Sequence, residues 1–182
     1  MPAYVDTFNT IVSLGVVLLQ ICAFTLLLDL VFGRKHFKYV FGKSSKHAYT
    51  AGFLVALGSV CLSLFYSEVI GYTACELCWV QRFFIYPQTI LFGFLLFKHY
   101  KKQVLDAVIF LSSFGTLVSL YHVYIEHGGS SSLACVTGAS AVSCAARYVY
   151  EFGYITIPIM ALTAQVVMLL IAIHLRHLHK QK

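Results

Sequence analysis

The chain has 182 residues, of which 59% are hydrophobic and 11% charged, and its mean hydropathy is +0.80. That leaves too few polar side chains to cover a water-soluble globule, so soluble enzyme folds are excluded and one polytopic membrane domain over residues 1–182 is expected. The net charge of +6 does not indicate nucleic acid, because the lysines and arginines fall in short clusters between apolar runs, where they report topology.

The start, Met1-Pro2-Ala3-Tyr4-Val5-Asp6, lacks the basic beginning and small-residue cleavage site of a secretory signal, so the first apolar run is expected to stay in the mature protein. That run is the first predicted span, about 8–32, with Asp29 near its end. A basic loop with Arg34, Lys35, Lys38, Lys43 and Lys46 follows, then a second span over about 48–70. The stretch Cys75-Glu76-Leu77-Cys78 lies in a short loop, 71–78, that leads into a third span over about 79–97. Lys98, Lys101 and Lys102 form the next connection, and a fourth span covers about 104–125. A longer polar loop, 126–151, carries Gly128-Gly129-Ser130-Ser131-Ser132, Cys135 and Cys144 before a fifth span over about 152–174. Each run is near the ~20 residues a helix needs to cross the hydrocarbon core. His174, His177 and His179 then read as part of a solvated basic tail.

Eleven of the thirteen lysines and arginines fall on one side of this arrangement, which makes that side cytoplasmic. The N-terminus and both cysteine pairs are then expected on the outer, oxidising face of a cell membrane, and the basic loops and C-terminus inside. Cys22 and Cys61 sit within spans and read as small buried hydrophobes.

Two cysteines separated by two residues can close a small disulfide ring, and a pair at a helix start has its thiolate favoured by the amide dipoles. Cys78 is the member nearer the predicted helix start. Arg82 follows it by one turn on the same face, within reach of a thiolate or of an electron-poor ring docked there. Zinc would need two further ligands, and Cys135 and Cys144 stand apart in a flexible loop with only His122 and His127 near, so no metal is expected. Gln81 and Gln88 are candidates for contact with a ligand or, more commonly, with a neighbouring helix.

The run Cys75-Glu76-Leu77-Cys78-Trp79-Val80-Gln81-Arg82, continued by Phe83-Phe84-Ile85-Tyr86-Pro87, resembles the signature of the DsbB family of disulfide bond formation proteins, in particular its BdbC-like branch. The likeness extends to Tyr121-His122, to Cys135 and Cys144, and to Glu151-Phe152-Gly153-Tyr154-Ile155-Thr156-Ile157-Pro158. It implies an all-α membrane bundle, a four-helix family core plus one added N-terminal helix. It also implies a thiol:quinone oxidoreductase that reoxidises a DsbA-like, thioredoxin-fold thiol oxidase and passes electrons to a membrane quinone, ubiquinone or menaquinone. By position, Cys135 and Cys144 would meet the soluble partner, Cys75 and Cys78 would receive the electrons, and Arg82 and His122 would face the quinone. The physical chemistry of exchange agrees with this order: a thiolate attacks the more accessible disulfide, and the pair against the bundle meets the lipid-soluble oxidant. Two rival readings are a vitamin K epoxide reductase-like enzyme, in which the C-x-x-C follows the loop pair instead of preceding it, and a non-catalytic scaffold stapled by two disulfides. A heme carrier would need paired axial histidines, for which only His122 has a suitable depth.

Overall fold

The computed structural model describes residues 3–32, 45–97, 101–129 and 143–180. Within them are five helices long and apolar enough to cross a membrane: α1 (Ala3–Phe32), α2 (Ser45–Leu64, extended by a π-helical turn, Phe65–Val69), α3 (Glu76–Phe97), α4 (Lys101–Glu126) and α5 (Ile157–Lys180). In hydrocarbon every backbone amide must bond within its own segment, so apolar runs of this length fold as helices. The basic loop 33–44 and Cys135 lie outside the described residues.

Lipid tails are as apolar as leucine, so packing and interhelical hydrogen bonds hold such a bundle together. α5 is its hub, packed against α4, α1 and α2, with Met168, Ile171, Ala172 and Leu175 wholly buried. Across the α3–α4–α5 contact, Ser112 Oγ donates to Gln88 Oε1 (2.7 Å) and Gln88 Nε2 to Gln165 Oε1 (2.9 Å). Gly115 makes room for that network: a Cβ there would lie 2.4 Å from Gln165 Nε2. Gln88 thus belongs to helix–helix packing. Gln81 Nε2 likewise donates across helices to Ser119 Oγ (3.2 Å), and Gln81 also borders the cavity of the candidate site.

The structure departs from the expected elements at three places. α3 begins at Glu76 and takes Cys78 into the helix. The fifth span starts at Ile157 instead of near 152. Phe152 (φ 51°) and Gly153 (φ 79°) adopt left-handed conformations, closing a turn in which Glu151 and Ile155 bridge, and the apolar character of this segment conceals that turn. His174 is not part of a solvated tail. The helix continues to Lys180, and His174, 2% exposed, donates from Nδ1 to Leu170 O (2.8 Å) and sets Nε2 3.4 Å from Asp29 Oδ2 on α1. A lone ionisable group at this depth costs several kcal/mol, and pairing across two helices removes most of that penalty.

α1 is tied in at further levels. Tyr66 donates to Asn9 Oδ1 (3.0 Å), Tyr154 to Gln20 Oε1 (2.7 Å), and Gln20 Nε2 to Thr163 Oγ1 (3.3 Å).

Candidate functional site

The extended stretch before α3 ends at Cys75, and this residue caps the helix. Its carbonyl accepts the amide of Trp79 (3.2 Å) and its Sγ accepts the amide of Cys78 (3.4 Å), which is the N-cap bonding pattern made with sulfur. The two sulfurs lie 2.9 Å apart and both are free thiols. His122, 47 residues away on α4, brings Nε2 to 3.7 Å from Cys75 Sγ and 3.2 Å from the Cys144 carbonyl. Cys144 is disulfide-bonded and packs with Cys75, Leu77 and Ile125. Four of the candidate residues, Cys75, Cys78, His122 and Cys144, therefore converge. Arg82 faces the same cavity.

The acidic thiol is Cys75 and not the expected Cys78, because Cys75 Sγ takes the hydrogen bond of the Cys78 thiol and, as a smaller contribution, that of the Cys78 amide. The Cys75 thiol is lowered to about 4: the hydrogen bond from Cys78 is the largest cause, burial opposes it, and His122 lowers it further. Thiolate absorbance of the reduced protein is thus expected to persist well below the ordinary cysteine range and to vanish near pH 4. The sign follows from linkage. A depressed thiol stabilises the reduced state fully above the unfolded value and loses that contribution as pH falls through the folded one. An absorbance titration of reduced wild type against His122→Ala checks this. A wild-type midpoint near that of free cysteine would refute the assignment.

Arg82 is 6% exposed and is held by a feature with no sequence signature. A π turn, Phe65–Val69, follows Ser63 closely, and the Ser63 carbonyl accepts from Ser67 Oγ (3.3 Å). Arg82 Nη2 donates to that Ser63 carbonyl (3.0 Å) and Nε to Ser63 Oγ (2.8 Å), while the guanidinium lies over the Trp79 ring at 4.8 Å. Nη1 makes no hydrogen bond among the described residues.

The loop carrying Cys144 is anchored to the end of α4. Thr156 Oγ1 donates to Glu126 Oε2 (2.7 Å), and Arg147 Nη2 to the Glu126 carbonyl (3.1 Å) with Nε 3.7 Å from Oε1. Tyr72 stacks between Tyr66 (5.8 Å) and Tyr148 (4.8 Å) at the same end. These tyrosines border a cavity of about 140 Å³ whose lining includes polar Cys75, Cys78, Arg82 and His122 and apolar Ile157, Met160, Ala161 and Ala164. Sequence reasoning missed Ser63 and Glu126, which lie in no recognisable motif, and gave no role to Thr156 although it stands within the 151–158 run.

Cys75, Cys78 and His122 place three possible metal-ligand atoms within 4.8 Å of one another. Two thiolates on one tetrahedral zinc stand about 3.8 Å apart, from Zn–S bonds of about 2.3 Å. The 2.9 Å sulfur separation is shorter than that.

A sequence profile described as "Disulfide bond formation protein DsbB" matches residues 45–175. A "Probable disulfide formation protein" of Oceanobacillus iheyensis is 38% identical over 121 residues, 65% of this chain and 80% of the relative. "SPbeta prophage-derived disulfide bond formation protein B" of Bacillus subtilis is 39% identical over 60% of this chain and 72% of its own length. "Disulfide bond formation protein C" of the same organism is 36% identical over 66% and 86%. No solved structure matches significantly.

Proposed function

We propose, given that the chain belongs to the DsbB family of disulfide bond formation proteins, that it is a membrane thiol:quinone oxidoreductase that reoxidises a soluble, thioredoxin-fold thiol oxidase of the DsbA type. The observation that carries this reading is the cavity shared by two thiols 2.9 Å apart, a buried arginine and a buried histidine, beside a disulfide-bonded cysteine.

The steps follow from the chemistry of exchange. A partner thiolate attacks the Cys135–Cys144 disulfide, with Cys135 on the outer loop as the point of attack, and the partner's second thiol then resolves the mixed disulfide. The partner leaves oxidised and the loop pair reduced. Cys144 packs against Cys75, which favours exchange into the Cys75–Cys78 disulfide through Cys75. The inner thiols then give up two electrons and two protons and close again. A thiolate stabilised at Cys75 favours the reduced form and so makes the inner pair the more oxidising one, as electron flow from the loop requires.

A bound quinone would supply the two-electron, two-proton acceptor. The residues present fit its carbonyls: among the described residues Arg82 Nη1 is uncommitted, and His122 Nδ1 is buried with no hydrogen-bond partner. Arg82 stabilises charge developing on an oxygen, with its own orientation fixed by Ser63. Lysine and arginine placement supports an orientation with these groups on the outer face.

Anaerobic assay of the purified protein in nanodiscs, with a reduced thioredoxin-fold oxidase as donor, tests the proposal. One quinol per donor disulfide formed is expected. Folded protein that turns over with neither a benzoquinone nor a naphthoquinone would sink it and leave the stapled-scaffold reading.

A further inference from the structure

The family profile begins at residue 45, so α1 lies outside it, yet α1 supplies part of the cavity wall through Val16 and Leu19. Val16 is 6% exposed. Its register is fixed from both ends, by Asn9 with Tyr66 on one side and by Gln20 with Thr163 and Tyr154 on the other. The Asp29–His174 pair at 3.4 Å further ties α1 to α5, because sliding or turning α1 would separate two buried ionisable groups. A helix serving only as an anchor needs none of these four contacts.

The cavity lining combines polar and apolar groups. Cys75, Cys78, Arg82 and His122 are polar members of that lining, and Val16, Leu19, Ala161 and Ala164 are apolar ones, with the Gln20–Thr163 bond setting this part of α1 beside α5. Alanine and aliphatic side chains in the lining leave room for an apolar chain and offer it no hydrogen bond. An isoprenoid quinone combines the same two characters, carbonyls on the ring and hydrocarbon beyond.

From this we infer that α1 is a substrate-selecting wall: Val16 and Leu19 contact the ring-proximal isoprene unit of the quinone and set the preference between tailed and tailless acceptors. The inference rests on the thiol:quinone reading above. Aliphatic walls discriminate by volume, with one methylene worth about 10- to 200-fold in a fitted pocket.

The test measures KM for a quinone bearing one isoprene unit and for its tailless analogue. Val16→Phe, which fills the space, is expected to raise the ratio of tailed to tailless KM about 10-fold. Leu19→Ala, which cannot overpack, is expected to change the same ratio by weakening tailed substrates selectively. Single-turnover oxidation of the thiol donor without quinone reports folding in each variant. If both variants pass that check and the ratio stays at the wild-type value, or tailed and tailless quinones shift together, α1 is not the selecting wall. Wild type that reduces neither quinone would overturn the underlying reading itself, a result distinct from an unchanged ratio.

Discussion

Cys78→Ser is expected to lower donor-dependent quinone reduction by on the order of 10³-fold or more, because the inner disulfide can no longer close and the electron pair has no exit. The serine hydroxyl can still donate to Cys75 Sγ across the present 2.9 Å contact, so packing at the helix start survives. The loss is therefore in chemistry and not in folding. Exchange between the partner and the disulfide at Cys144 should continue for a single turnover, since that disulfide does not include Cys78. Cys22→Ser and Cys61→Ser, both free thiols within spans, should retain wild-type turnover. Quench-flow measurement of partner oxidation, run beside steady-state quinol formation, separates the two half-reactions. A Cys78→Ser protein that sustained steady turnover would show that electrons bypass the inner pair.

Arg82→Ala is expected to reduce kcat/KM for quinone about 100-fold, near 3 kcal/mol, with partner oxidation preserved. The guanidinium is buried and already committed by two of its nitrogens to Ser63, so its remaining donor is pre-aimed and little reorganisation is needed when charge develops. Arg82→Lys should not restore activity, because one ammonium cannot hold the Ser63 carbonyl and hydroxyl while also reaching the cavity. Ser63→Ala should give a smaller loss, about 5-fold, as one hydrogen bond worth about 1 kcal/mol disappears and the carbonyl contact stays. Quinone titrations of the three variants check this order. Equal quinone dependence in Arg82→Ala and wild type would remove Arg82 from the site.

Much of this molecule is determined by properties that neighbouring residues share. Five apolar runs become five helices because a segment in hydrocarbon has to bond its own backbone, and that requirement is met locally whatever surrounds it. The C-x-x-C spacing likewise brings Cys75 and Cys78 into one turn, and Arg82 follows by helical register alone. The family could be recognised for the same reason: its signature is a continuous run of residues.

Tertiary packing decided the rest. Nearness to the predicted helix start points to Cys78 as the acidic thiol, but Cys75 takes the hydrogen bond of the Cys78 thiol and, because the helix starts at Glu76, that of the Cys78 amide as well. Neither the Ser63 carbonyl that holds Arg82 nor the turn at Phe152 and Gly153 leaves a mark in hydropathy. His174 was misread as solvated because its partner, Asp29, stands on the added first helix. His122 reaches Cys75 across 47 residues, and Val16 and Leu19 meet the cavity only because α1 packs on α5. Each of these is a pairing between groups far apart in the chain. Local composition specifies how strongly a buried polar group needs a partner, whereas which partner it meets depends on how the helices pack.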